Sequence, residues 1–143
     1  MWIRRFASYL GAYLLWIVVL GLAILFAIVS QTALLGLAAV YFVDDLYTRQ
    51  TLVLFLDKAY MFILGLGWMV LMVTIEESFR RSISKGNLLK RFAIVGGIEL
   101  LAIFIFDLII LGLQDWRFDP LRTIILIIEL VGGLGLLYYW RKH

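Results

Sequence analysis

Three acidic side chains lie inside long apolar stretches of this sequence, where water is not expected. Glu99 and Asp107 interrupt the run "GGIELLAIFIFDLIIL", and Glu129 interrupts a second run near the carboxyl terminus. An ionised carboxylate is costly in an apolar interior, so each group needs a proton, a hydrogen-bond donor, a cation or water. These residues therefore favour two chemistries: hydrogen bonding or ion pairing between helices or subunits, and binding of a proton or cation along a pathway.

The spacing of the acids predicts how close they lie to one another. The two apolar runs are joined by the short polar turn "QDWRFDP", so they should form antiparallel neighbouring helices. Counting about 1.5 Å of rise per residue from the turn puts Asp107 and Glu129 within roughly one helical turn in depth. Glu99 lies deeper, opposite the glycines of the fourth span, and helical spacing lets all three acids face one seam. Arg122 is the nearest internal cation, and its long side chain could reach Asp107.

The elements that hold these groups must be membrane-spanning helices. The chain has 143 residues, of which 64% are hydrophobic and 16% are charged, and its mean hydropathy is +1.02. Globular proteins have about 25% charged residues, whereas the apolar residues here form blocks long enough to cross about 30 Å of hydrocarbon. We therefore predict an all-α integral membrane protein with a single membrane domain over 1–143.

The residue types also exclude several kinds of chemistry. The sequence has no cysteine, and its one histidine is the terminal His143. Disulfides and cysteine-ligated metals are therefore excluded, and the spans hold no histidine to serve as a haem ligand or as the base for a serine nucleophile. We expect no enzymatic activity, no cofactor and no metal site. The net charge of +3 is better explained by membrane topology than by nucleic-acid binding.

Four stretches are long enough to cross the membrane, and polar segments separate them. Pro120 suits the first turn of the last stretch, because its fixed φ angle fits a helix and its missing N–H is not needed there. The predicted spans lie near residues 6–29, 55–75, 92–113 and 120–140.

The apolar stretch before Asp44 is too long for one simple span, and its placement decides the number of spans. We expect a break at Ser30–Thr32, which separates a first span from a second apolar piece over 32–43. About 12 residues are too few to cross the hydrocarbon, so this piece is predicted as an interfacial or re-entrant helix. An extension of the first span is the alternative.

The distribution of lysine and arginine predicts the orientation. With four spans and both termini in the cytoplasm, nine basic residues lie inside and four lie outside, as the positive-inside rule requires. A fifth span over 32–43 would place the densest basic segment outside, against that rule. The inner set is Arg4, Arg5, Arg80, Arg81, Lys85, Lys90, Arg91, Arg141 and Lys142, and the outer set is Arg49, Lys58, Arg117 and Arg122.

Glycines in three of the spans predict close helix contacts. Small residues let helix backbones approach each other in a membrane, and these glycines lack the strand and the lysine of a phosphate-binding loop. The predicted helix-packing residues are Gly65, Gly67, Gly96, Gly97, Gly132, Gly133 and Gly135.

The segment "EESFRRSISKGNLLKR" over 76–91 is predicted as a basic cytoplasmic loop. The positive-inside rule explains its charge. Contact with anionic lipid headgroups or with a cytoplasmic partner is the alternative. The residues concerned are Arg80, Arg81, Lys85, Lys90 and Arg91.

These features lead to functional hypotheses of different classes. The first is a small non-catalytic accessory or scaffolding subunit of a larger membrane complex, which contacts lipids and other membrane subunits through glycine-bearing helices and buried acids. The second is a homo-oligomeric proton- or cation-coupled transporter or channel that uses Glu99, Asp107 and Glu129. A lipid-handling or assembly factor is the third. The small four-span layout favours the bacterial cytoplasmic membrane.

Overall fold

Four helices make up almost all of the described chain, which confirms the predicted all-helical fold. The computed structural model describes residues 1–41 and 45–143. All four helices are long and apolar enough to cross a membrane, as the apolar run lengths predict. Their bounds are α1 (Trp2–Tyr41), α2 (Leu46–Ser84), α3 (Leu88–Leu113) and α4 (Pro120–Lys142).

Helix α1 has no break at its polar stretch, so that prediction is wrong. The hydroxyl groups of Ser30 and Thr32 donate to backbone carbonyl oxygens one turn earlier, at 3.1 and 2.9 Å. The amide of Gln31 donates to the carboxylate of Asp57 on α2. Since these polar groups find partners without leaving the helix, residues 32–41 continue α1 and form no separate interfacial or re-entrant helix. Residues 42 and 43 of the predicted piece lie outside the described residues.

The polar segment 76–91 is helical over most of its length, which differs from the predicted loop. Only Lys85–Asn87 lie between α2 and α3. Glutamate and arginine are good helix formers, and Arg81 pairs with Glu77 one turn earlier. Gly86 makes the turn with a φ of 69°, a conformation that glycine adopts without steric cost.

The helices form an open layer rather than a closed bundle. Consecutive helices are antiparallel, and contacts such as the one between Tyr13 and Glu76 join the first pair. Helices α1 and α3 form the centre; α2 packs mainly on α1, and among the described residues α4 packs on α3 alone. The accessible surface is 10254 Å², compared with about 7,500 Å² for a globular monomer of this mass. Much of the apolar surface therefore faces lipid or another protein.

The small apolar core lies near the end of the layer that holds the amino terminus. Val19, Ile75 and Phe79 are buried together, and Leu88 and Phe92 of α3 pack against them. This cluster joins three helices just below the charged end of α2. It therefore holds the basic segment against the start of α3.

The turn between α3 and α4 is tight and partly left-handed. Asp115 and Trp116 both have a φ of 55°, and the Trp116 N–H donates to the carbonyl oxygen of Leu111 at 3.0 Å. Pro120 begins α4 in its first turn, as predicted. The short turn holds α3 and α4 as antiparallel neighbours.

Candidate functional site

The seam between α3 and α4 brings Asp107 and Glu129 together, as their spacing predicted. The two carboxyl groups lie close enough to interact electrostatically. Glu129 is only 8% exposed, and its Oε2 is buried with no hydrogen-bond partner among the described residues. Two carboxylates in contact repel each other when both are ionised, so a proton or a cation between them relieves the repulsion. The pair can therefore act as a hydrogen-bonding unit or as an ion-binding unit.

Glycines make this seam narrow enough for the acids to meet. A Cβ atom built on Gly133 would lie 2.8 Å from Leu101 Cγ and 3.3 Å from the carbonyl oxygen of Gly97. A Cβ atom on Gly97 would lie 3.2 Å from the carbonyl oxygen of Gly133. Because Glu129 is one turn from Gly133 along α4, the same close approach carries it towards α3.

The predicted helix-packing glycines fall into two groups. Gly96 and Gly132 also lie against side chains of the neighbouring helix, Leu136 and Leu100 respectively. By contrast, a Cβ atom on Gly65, Gly67 or Gly135 would meet nothing within 4 Å. Close packing between the described helices therefore does not require glycine at these three positions.

Glu99 lies on a different side of α3, so the three acids do not share one seam. Leu100 and Leu101 meet the glycines of α4, where Glu99 was expected, while Val95 and Phe106 pack towards α1 and α2. Glu99 is four residues after Val95 and seven before Phe106, which puts it on their side of the helix. Its Oε2 is buried with no hydrogen-bond partner among the described residues.

Arg122 does not reach the acid pair. Its guanidinium group donates to the side-chain oxygen of Gln114 in the turn. Within residues 1–41 and 45–143, the salt bridge formed is that of Arg81 with Glu77. Asp107 and Glu129 therefore have no cationic partner from the described part of the chain.

The indole N–H of Trp68 is a buried polar group of α2 that the sequence did not reveal. Its indole Nε1 is buried and has no acceptor among the described residues. The α1–α2 and α1–α3 contacts place it within roughly one helical turn of Glu99 in depth. The available signal was its position in the middle of a span, since tryptophan is usual at the membrane interfaces.

The predicted basic residues are divided between two sides of α2. Arg80 and Arg81 line a cavity towards α1, and Arg81 also lines a second cavity towards α3 together with Lys85 and Arg91. Lys90 lines neither of these two cavities. The structure thus separates residues that the sequence treats as one group.

Comparison with known proteins adds no assignment. No protein-family model, curated protein or solved structure matches this chain.

Proposed function

We propose that this protein is a small non-catalytic subunit of a larger membrane complex, and that the exposed apolar surface of α2 packs against a partner helix. The observation that carries the proposal is that the apolar surface of α2 is not covered by the other helices. None of the most apolar 18 residues of α2 is buried inside the protein (0%), compared with 22% in α1 and in α3. A span that contributes so little to its own fold is available to another protein.

The glycines of α2 support protein rather than lipid along this span. Gly65 and Gly67 lie in the exposed stretch and face open space. In membrane proteins, small residues are enriched where helix backbones approach each other closely. Gly65 lines one apolar groove between α1 and α2, and Gly67 lines another, with Trp68 bordering both. Either groove can accept side chains of a partner helix.

The buried acids support the same proposal. One oxygen atom of Glu99 and one of Glu129 have no donor among the described residues. A donor or cation from another subunit would satisfy them, and intramembrane acids commonly pair in this way.

The length of the first hairpin is a further argument for a partner. Helix α1 has 40 residues, which is about 60 Å or roughly twice the hydrocarbon thickness. Apolar side chains at its far end remain exposed, among them Val40 at 58% and Tyr41 at 73%. Even a tilt of about 40° would not bring the whole helix within the hydrocarbon layer. A partner covering this end would remove apolar surface from water.

We also propose that both termini face the cytoplasm of a bacterial cell. The antiparallel helices bring the termini and the α2–α3 connection to one end of the molecule. That end carries nine of the 13 basic residues, which supports a cytoplasmic position by the positive-inside rule.

Co-purification tests the complex. The tagged protein is extracted from its native membrane in mild detergent, and the co-eluting proteins are identified by mass spectrometry. We expect larger subunits in stoichiometric amounts with the wild type. The double variant Gly65→Leu/Gly67→Leu should lower their recovery by roughly tenfold, the loss that about 1.4 kcal/mol of binding free energy produces.

The matched control is Gly21→Leu on α1, which also faces open space. This change adds the same side chain to a different helix, so it should leave the complex intact. Elution of the wild type without other subunits would contradict the proposal. Equal losses of the co-eluting subunits in both variants would contradict the placement of the partner on α2.

A second candidate function is a homo-oligomeric proton- or cation-coupled transporter or channel. The contact between Asp107 and Glu129, without a cation from the described chain, is the observation that favours it. Intramembrane acids facing a protein interior often bind the transported ion.

Flux into liposomes tests this alternative. We expect Glu129→Gln to abolish proton or cation flux if the pair binds the ion, while the exposed control Glu77→Gln retains it. Flux that is unchanged in Glu99→Gln, Asp107→Asn and Glu129→Gln would rule the pathway out.

A further inference from the structure

Two cavities flank the charged end of α2, and they differ in charge. The first, of about 480 Å³, is lined by Glu76, Glu77, Arg80 and Arg81, so its two acids and two cations cancel. The second, of about 320 Å³, lies between α2 and the start of α3 and is lined by Glu77, Arg81, Lys85 and Arg91. We name the second one the basic cavity.

The basic cavity carries a formal charge of +2, from three cations and one acid. Glu77 is paired with Arg81, which leaves the other two cations to act on a ligand. The side chains of Lys85 and Arg91 have no ion pair or hydrogen bond with the described chain. Two cations converging on one cavity of this size match a small anion or anionic headgroup.

The start of α3 adds hydrogen-bond donors to this electrostatic site. Asn87 lines the basic cavity and makes no side-chain capping bond to the first turn of α3. The N–H groups of an uncapped first turn favour an anion, as does the positive end of the helix dipole. Among anions, phosphate accepts bonds from several such donors at once.

The position of the basic cavity favours a lipid as the source of the phosphate. Its wall runs from Thr74, at the end of the apolar stretch, to Lys85 and Arg91 at the polar end. Phospholipid headgroups lie at this boundary, with their acyl chains beside the apolar span.

We propose that the basic cavity binds the phosphate group of an anionic phospholipid. This site is independent of the partner proposed on the middle of α2. It also divides the basic segment by role: Lys85 and Arg91 bind the ligand, whereas Arg80 and Lys90 contribute only general positive charge.

Lipid binding to the detergent-solubilised protein, measured by native mass spectrometry, tests the proposal. The probes are phosphatidylglycerol, phosphatidylcholine and inorganic phosphate. We expect phosphatidylglycerol to bind more tightly than phosphatidylcholine. The double variant Lys85→Gln/Arg91→Gln should weaken phosphatidylglycerol binding by roughly tenfold or more, as the loss of two cations near a headgroup implies.

The control variant Arg80→Gln/Lys90→Gln removes the same two charges from the same segment. It should change binding by less than about threefold, because these residues are not part of the basic cavity. The charge-conserving variant Lys85→Arg/Arg91→Lys should retain phosphatidylglycerol binding, which separates loss of charge from loss of fold.

Three results would overturn the proposal. Equal weakening by the two charge-removing pairs would mean that general charge alone attracts the lipid. Equal binding of phosphatidylglycerol and phosphatidylcholine would exclude recognition of the anion. Displacement of the lipid by an equal concentration of inorganic phosphate would make a free phosphate compound the ligand.

Discussion

Individual glycines have opposite roles in this protein, although the sequence presents them as one group. Gly97 and Gly133 face each other across the α3–α4 seam, where each backbone oxygen lies close to the other glycine. Gly135 is on the same helix as Gly133 but faces open space. The absence of a side chain is therefore required at the first two positions only.

Alanine substitutions of Gly133 and Gly135 compare a packed position of the α3–α4 seam with an open position on the same helix. Gly133→Ala would place a Cβ atom 2.8 Å from Leu101 Cγ, and we expect a loss of about 1–3 kcal/mol of unfolding free energy. Gly135→Ala should be neutral or stabilise by up to about 1 kcal/mol, because alanine favours helix and meets no neighbour. Unfolding in mixed micelles with increasing denaturant measures both. Similar stabilities for the two variants would contradict the close packing.

A second residue-scale prediction concerns acid sensitivity at the start of α2. Asp45 accepts hydrogen bonds from the hydroxyl and backbone N–H groups of Thr48, at 3.0 and 3.3 Å. These bonds, the hydroxyl bond first, lower the pKa of Asp45 below its ordinary value. A carboxyl group with a depressed folded pKa stabilises the folded state above its unfolded pKa, and the stabilisation is lost as pH falls through the folded pKa.

Hydrogen exchange of the first turn of α2 measures this effect. After correction for intrinsic rates, we expect the amides of residues 46–49 in the wild type to lose protection from exchange as the pH falls through the folded pKa of Asp45. Asp45→Asn should show no such pH step, since asparagine caps a helix without titrating. An equal step in both proteins would assign it to another group.

At the scale of elements, the two hairpins are held together differently. The α3–α4 hairpin has a short turn with two left-handed residues and a seam of glycines. The α1–α2 hairpin is longer and includes polar contacts, between Ser30 and Tyr60 and between Gln31 and Asp57. Such hydrogen bonds between membrane helices contribute about 0.6 kcal/mol each. The α3–α4 hairpin is therefore held by closer packing, whereas the α1–α2 hairpin leaves more of its surface available to lipid or another protein.

The left-handed turn of the α3–α4 hairpin can be made more stable by a single substitution. Asp115 has a φ of 55°, which costs a non-glycine residue roughly 1 kcal/mol. We expect Asp115→Gly to raise the unfolding free energy by up to about 1 kcal/mol, because glycine adopts this conformation freely. Asp119→Gly, at a φ of −90°, should instead lower it by about 0.5 kcal/mol through added freedom of the unfolded chain. Thermal unfolding of both variants measures the sign of each change in stability. Stabilisation by Asp119→Gly but not by Asp115→Gly would contradict the prediction.

At the scale of the whole molecule, the open layer divides the surface into distinct regions. One end carries the termini, the basic cavity and most of the positive charge. The middle of α2 offers an exposed apolar surface, and the far end holds the end of α1, the start of α2 and the α3–α4 turn. Protein partner, lipid headgroup and membrane orientation can therefore be tested separately.

Orientation can be measured without background, because the chain has no native cysteine. Single cysteines are introduced by Ser84→Cys at the end of α2 and by Phe118→Cys in the α3–α4 turn. We expect an impermeant thiol reagent to label Phe118→Cys in intact cells and Ser84→Cys only after permeabilisation, as the positive-inside rule predicts. The reversed pattern would place both termini outside.

The sequence by itself determined the number of candidate spans, the start of α4 at Pro120 and the meeting of Asp107 with Glu129. These properties depend on run length, helical rise and a short turn, which are local and readable without a fold. The break expected at Ser30–Thr32 failed because a polar stretch looks like an interruption when its partner helix is unknown. Asp57 of α2 satisfies Gln31 there, and the helix continues.

Only the tertiary structure decided which side of each helix meets a neighbour. Glu99 is separated from the acid pair because α1 packs along one side of α3 and α4 along another. The same choice leaves Gly65 and Gly67 uncovered and divides the basic residues between two cavities. Helical periodicity groups residues by face, but the partner of each face is set by long-range packing, in which contacts far apart in the chain compete for the same surface.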